Sequence, residues 1–474
     1  MLFSSSVFLL YFLSALLLCY FLVPRRFLSA RNLVLLLFSL VFYGFGGLRY
    51  LVLLAVCILV NWLGGLTLGG GAPSARRRSL LILTIAVNLA LLGWFKYAGF
   101  AARTLSALGV PIPVPDIVLP IGISFFTFQG MSYVIDVYRG DARVQRDPMK
   151  VALYIALFPQ LVAGPIVRYT GVETALSRRT HTLRGFSDGL TRFLYGFGKK
   201  MLLANAMGEI ADKTFSLSQG GTLSVSLAWL GALAYTFQIY FDFSGYSDMA
   251  IGLGKLFGFR FPENFNYPYV SASVTEFWRR WHMSLSSWFR DYVYIPLGGN
   301  RCSRGRHILN LLAVWGLTGL WHGANWTFVA WGLYYGVLLI AEKYLLAGVL
   351  PRIPVPVRRL LTFVIVVLGW VLFRADTIGD AGAYLRVMFG GGVFATGQTV
   401  FFLRQYLPEL LLCVLASFPV KYIPMNLMRQ RARASRGWFL ALEISPKALA
   451  LLVFALGYMK LVFGSFNPFI YFQF

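Results

Sequence analysis

The chain has 474 residues, of which 58% are hydrophobic, 17% aromatic and only 13% charged. A water-soluble fold of that length needs far more polar surface, so the composition excludes an ordinary soluble enzyme and makes lipid the main solvent. The net charge of +25, from 43 Lys and Arg against 18 Asp and Glu, does not point to nucleic acid, because the basic residues fall in short stretches between apolar runs and so follow the pattern that sets membrane topology.

The first apolar run, about 3–23, has no basic leader and no small-residue cleavage site. It reads as a first transmembrane helix rather than a cleaved signal. Further runs lie at about 33–48, 50–68, 79–98, 118–138, 190–207, 223–250, 308–321, 326–346, 358–373, 401–419 and 446–463. Some are too short to span alone, so about eleven transmembrane helices are expected. Arg25, Arg26 and Arg31 follow the first run, Arg76, Arg77 and Arg78 the third, and Arg139, Arg143, Arg146 and Lys150 the fifth. An even number of crossings separates these clusters, which puts all of them on the cytoplasmic side and the N-terminus outside. With no large polar appendage, residues 1–474 read as one polytopic, all-α membrane domain.

Two stretches depart from that rhythm. The apolar segment 151–167 is flanked by basic residues and interrupted by Pro159, Gly164 and Pro165. It is expected to be re-entrant or buried, since irregular backbone at membrane depth survives only inside protein or against a cavity. The stretch 256–307 interleaves Arg260, Arg279, Arg280, Arg290, Arg301, Arg304 and Arg306 with Trp278, Trp281, Trp288 and Tyr292. Aromatics and snorkelling arginines place it at the cytoplasmic interface.

The chemistry-bearing residues are few. Cys19, Cys57 and Cys413 lie in apolar runs and read as packing residues, while Cys302 stands alone among arginines. No CxxC, P-loop, GxGxxG, HExxH or GxSxG pattern occurs, and no metal site is expected. Of the four histidines, His181 and His307 sit beside basic residues and read as solvated loop residues. His322 differs, because Gly319-Leu320-Trp321-His322-Gly323-Ala324-Asn325-Trp326 joins two apolar runs. An ionisable group at membrane depth marks either a functional site or a histidine hydrogen-bonded within a helix bundle. His282 lies in Glu276-Phe277-Trp278-Arg279-Arg280-Trp281-His282-Met283-Ser284, and two histidines in one buried pocket suit proton transfer at neutral pH. Asp136, Asp242 and Asp248 sit in or beside apolar runs, where helix-tying hydrogen bonds are favoured over ligand binding.

On these residues the chain resembles the membrane-bound O-acyltransferase family, most closely its bacterial alginate O-acetylation branch. The motifs that carry the likeness are Gln238-Ile239-Tyr240-Phe241-Asp242-Phe243-Ser244-Gly245-Tyr246-Ser247-Asp248, the stretch from Phe277 to Ser286, Asp291-Tyr292-Val293-Tyr294-Ile295-Pro296-Leu297-Gly298-Gly299-Asn300, Gly319 to Gly323, and the terminal Phe469-Ile470-Tyr471-Phe472-Gln473-Phe474. The resemblance implies a ring of helices with re-entrant segments around a central funnel or tunnel. It implies that His322 is the catalytic histidine and His282 its companion, that an acyl thioester such as acetyl-CoA is the donor, and that a secreted polysaccharide is the final acceptor. It also implies a bacterial inner-membrane location and a periplasmic SGNH-type acetyltransferase as partner. Arg279, Arg280 and Arg290 either meet the phosphates of the donor or anchor the interface. The readings left beside this one are a D-alanyl transfer protein of teichoic acid modification and a polymer-export subunit without chemistry.

Overall fold

The computed structural model describes residues 1–70, 74–432, 435–464 and 466–468, so the terminal motif Phe469 to Phe474 lies outside the described residues. Helices make up the described structure, with no strand among the described residues. The chain divides into two compact units, Met1–Phe193 with Met249–Pro262, and Leu194–Asp248 with Glu263–Phe474.

The first unit carries α1 (Val7–Leu22), α2 (Leu28–Gly44), α3 (Arg49–Leu68), α4 (Ala75–Ala107), α5 (Ile123–Arg139), α6 (Pro148–Ala156), α7 (Phe158–Leu161) and α8 (Tyr169–Ser177). Two unit boundaries fall inside α9 (Leu183–Gly198) and α11 (Val225–Leu256), with α10 (Asn205–Gln219) between them, and the third falls in the loop after α11. The second unit continues with α12 (Val274–Arg280), α13 (Met283–Phe289), α14 (Arg304–His322), α15 (Trp326–Tyr344), α16 (Val355–Arg374), α17 (Ile378–Met388), α18 (Gly397–Ser417), α19 (Tyr422–Ala432) and α20 (Arg436–Phe463).

By length and composition α3, α4, α16, α18 and α20 can cross a membrane, and α1 and α2 are shorter apolar helices. Only 6% of the apolar window of α20 is buried inside the protein. Leu449, Leu451, Leu452, Leu456 and Val462 face outward from it, and a surface that apolar is stable against lipid and not against water. This is a multi-pass membrane protein.

In lipid, helices are tied by small residues and buried amides rather than by apolar burial alone. In the first unit Asn61 of α3 donates to Asn88 of α4 at 2.9 Å, and Asn88 donates back at 3.2 Å. A Cβ on Gly65 would come within 2.6 Å of the Tyr133 ring, so α3 and α5 are close there. The segment 151–167 is buried along its length, as two short helices followed by irregular backbone.

Three readings are corrected by the fold. Cys19 is exposed, whereas Cys57 and Cys413 are buried. His307 is not a solvated loop residue: it is buried in the first turn of α14, between the hydroxyls of Tyr294 (2.7 Å) and Tyr344 (2.8 Å). His181 is half-buried, with Nε2 at 2.8 Å from the Tyr20 hydroxyl and Nδ1 at 3.4 Å from Arg31. Basic neighbours in sequence hid the aromatic partners that surround each ring in space.

Candidate active site

The stretch 256–307 splits its residue types between two environments. On α12 and at its C-cap, Phe277, Trp278 and Trp281 recur at helical spacing and turn into the second unit, where all three are buried. Trp278 stacks edge-on with Trp315 and Tyr335, at 4.7 and 4.8 Å. The indoles expected at an interface are therefore core residues. Of the three arginines weighed as donor contacts, Arg279 and Arg290 are exposed and Arg280 is half-buried. Arg280 pairs with Glu276 at 2.9 Å and Arg290 with Asp291 at 2.6 Å.

Helix α12 is capped at its start by Ser273, whose hydroxyl accepts from Glu276 N at 3.1 Å. It ends at Trp281, and His282 then takes a left-handed conformation, φ 43° and ψ 53°, before α13 begins. Only His282 and Tyr267 have positive φ among the described non-glycine residues. Such a backbone is costly for a histidine and persists where the surroundings over-determine it, as at functional sites.

His322 closes α14. Three residues, Gly323 to Asn325, then turn the chain into α15, where Asn325 caps the helix by accepting from Thr327 N at 3.3 Å. The two helices approach to backbone distance: a Cβ on Gly319 would strike the carbonyl of Phe328, and one on Gly332 the carbonyl of Trp315. That approach sets the His322 ring edge-on against Trp331 at 5.1 Å and Phe373 of α16 at 5.3 Å.

The structure brings the two histidines to one indole. The Trp321 ring lies 5.8 Å from the His282 ring and 5.1 Å from that of His322. Both imidazoles are buried, at 1% and 7% exposure. His282 Nδ1 lies 3.0 Å from Asn264 Oδ1, and Phe243 of α11 stands edge-on to the ring at 4.6 Å. Two buried imidazoles among aromatic walls are groups that can take up and release a proton near neutral pH, held away from water.

Other motif residues do structural work. Asp242 pairs with Lys200 at 2.8 Å and Asp248 with Lys199 at 2.7 Å, both across α11 and the wide turn Lys199–Ala204 that joins α9 to α10. One residue beyond Phe373 a polar cleft begins, lined by Asp212, Arg374, Asp376 and Asp380, with Arg374 and Asp212 paired at 2.8 Å. Sequence reasoning missed Asn264, which contacts the His282 ring, and Ser284, which bonds Asn264. Ser284 lies inside a quoted motif, but nothing local singles out an asparagine 18 residues upstream.

The sequence signature of the membrane-bound O-acyltransferase family matches residues 141–373, which include both histidines. Over its full length the chain is 43% identical to the full length of a probable alginate O-acetylase AlgI of Azotobacter vinelandii. It is 35% identical to a peptidoglycan O-acetyltransferase of Helicobacter pylori, over 82% of this chain and 80% of that one. It is 32% identical to a teichoic acid D-alanyltransferase of Streptococcus thermophilus, over 46% of this chain and 56% of that one.

Proposed function

Because the chain belongs to the membrane-bound O-acyltransferase family and is an O-acyltransferase, we propose that it passes an acetyl group from a cytoplasmic thioester, acetyl-CoA, through the bacterial inner membrane for O-acetylation of a secreted polysaccharide, alginate. The observation that carries this reading is the buried pair of imidazoles on Trp321, in a membrane protein similar end to end to an alginate O-acetylase. Supporting the acetyl group over a D-alanyl group is the reach of the similarity, which spans the whole chain for the former and about half of it for the latter.

In this mechanism His322 takes the proton of the acceptor hydroxyl while its oxygen attacks the thioester carbonyl. The C–O bond forms, the C–S bond breaks, and the imidazolium returns its proton to the departing thiolate. General-base help of this kind contributes about 10²–10⁴-fold. His282 holds the acceptor beside the carbonyl or stabilises the developing oxyanion. The donor's charged phosphates stay on the cytoplasmic side, because burying them in hydrocarbon costs far more than passing a neutral acetyl group. Arg279, exposed at that side, meets those phosphates. Arg280 and Arg290 do so only by sharing their present carboxylate partners.

The same reading sets about eleven helices in a ring around a funnel, the N-terminus in the periplasm and a periplasmic SGNH-type acetyltransferase as recipient. Deleting the gene tests it. Ester-linked acetyl disappears from the secreted polysaccharide and returns with the wild-type chain. A polymer that stays acetylated refutes the assignment, and loss of D-alanyl esters instead replaces it with the teichoic acid reading.

A further inference from the structure

Asn264 lies in the loop after α11, 1% exposed. Two backbone bonds tie this loop to the end of α12 and the start of α13: Asn266 N donates to Arg280 O at 2.9 Å, and Met283 N donates to Asn264 O at 3.0 Å. The carboxamide of Asn264 is thereby fixed beside Nδ1 of the His282 ring.

A carboxamide has one accepting and one donating end, and which end is which here is decided by a group that cannot change its role. The backbone N–H of Ser284 is an obligate donor and lies 3.3 Å from one end, so that end is the oxygen. The Ser284 hydroxyl donates to the same oxygen at 2.9 Å, and the other end donates to Ser247 Oγ at 3.1 Å. His282 Nδ1 sits 3.0 Å from that oxygen. Two acceptors do not bond, so Nδ1 carries a hydrogen. A neutral imidazole has a single N–H, and Nε2 is therefore left with its lone pair. Nε2 is buried and has no hydrogen-bond partner among the described residues.

We infer that Asn264 is a positioning residue for acyl transfer, holding neutral His282 as its Nδ1–H tautomer so that Nε2 accepts a hydrogen bond from a hydroxyl of the acyl acceptor. The inference rests on the proposed function and narrows it. Of the two roles open to His282, a bare Nε2 performs the first, holding the acceptor. It has no hydrogen to give an oxyanion. Deprotonation of the attacking hydroxyl stays with His322.

The chain has four histidines, so the full-length protein labelled with ¹⁵N-histidine and reconstituted in lipid bilayers resolves the tautomer by solid-state NMR, with His282→Gln assigning the signal. His282 is expected as Nδ1–H in the wild type, with that preference lost in Asn264→Ala. An Nε2–H wild type, or an Asn264→Ala variant with an unchanged tautomer, overturns the inference. In cells, Asn264→Ala lowers polymer acetyl content on the order of 10- to 100-fold, the loss seen when a hydrogen-bonding partner that orients a metal-bound histidine is removed. Asn264→Asp still accepts from Nδ1–H and from Ser284, and keeps the larger share of activity. Equal loss in the two variants counts against positioning. His322→Gln, run in parallel, separates the failures: full activity there ends the general-base reading while the tautomer result stands on its own.

Discussion

Lys200 and Asp242 face each other at 2.8 Å with 3% and 2% of their side chains exposed. Two charges taken this far out of water are tolerable only together, and removing one partner of such a pair costs about 3–5 kcal/mol because the other is left buried and uncompensated. Lys200 Nζ also donates to the carbonyl of Pro468, so the same charge fastens the last described residues of the chain.

Lys200→Met is therefore expected to lower the thermal stability of the detergent-purified protein severely. Lys199→Met, which breaks the Lys199–Asp248 bridge where the lysine is 31% exposed, costs only on the order of 1 kcal/mol or less. Melting curves for the two variants check the order. Equal effects would show that burial of the pair does not decide the cost.

The helical layout was legible because lipid demands long apolar runs, and each run found in the sequence has a helix over it. His322 was legible because a lone histidine between two such runs is conspicuous. Partners were not. His307 looked solvated among arginines, yet its ring nitrogens meet the hydroxyls of Tyr294 and Tyr344, 13 and 37 residues away, and Nζ of Lys343. Trp278 and Trp281 looked interfacial because tryptophan beside arginine has the composition of a membrane belt. Helical spacing sends the indoles inward while Arg279 faces out. Asn264 acts on His282 through a loop contact that no periodic pattern encodes.

The seam between α14 and α15 makes a contrasting prediction for two glycines three residues apart. At Gly316 an added Cβ meets only Leu333 Cδ2, at 4.0 Å, whereas at Gly319 it strikes the Phe328 carbonyl. Gly316→Ala is expected to stabilise by up to about 1 kcal/mol, since alanine costs less helix entropy than glycine. Gly319→Ala is expected to destabilise by about 1–3 kcal/mol through overpacking and to displace His322, lowering acetyl transfer as well. Melting temperatures of opposite sign bear this out. Loss of stability in both variants would mean the seam is not limited by that backbone contact.

His181 gives a pH prediction. Burial first, then the charges of Arg31 and Arg179, push its pKa down from 6.5 to about 4. The folded state thus binds a proton less readily than the unfolded chain, whose histidine titrates near 6.5. Protonation favours unfolding, so stability is full above about pH 6.5, falls as pH drops toward 4, and levels off below that. His181→Gln removes this loss along with the bond to Tyr20. Any deficit it shows against wild type at pH 7 is expected to shrink at pH 4.5, read from melting temperatures at both pH values. A constant gap contradicts the assignment.

The two histidines of the site are expected to respond differently to replacement. His322 is enclosed by Trp321, Trp331 and Phe373, and its proposed work is to hold a proton during the reaction. An imidazole titrates near neutrality and an amide does not. His322→Gln, which keeps a hydrogen-bonding side chain of similar size, is therefore expected to abolish polymer acetylation as completely as His322→Ala, with each variant at wild-type abundance in the membrane. Full activity in His322→Gln would make His322 a structural residue and end the proposed mechanism. His282 carries two burdens, a hydrogen-bonding role and a backbone at φ 43°. Asparagine enters that left-handed region several-fold more readily than most side chains, and its amide can still contact the acceptor. His282→Asn is expected to retain part of the activity, while His282→Ala loses most of it. Equal losses in the two variants would show that only an imidazole serves at this position, and that the left-handed turn contributes nothing to the difference.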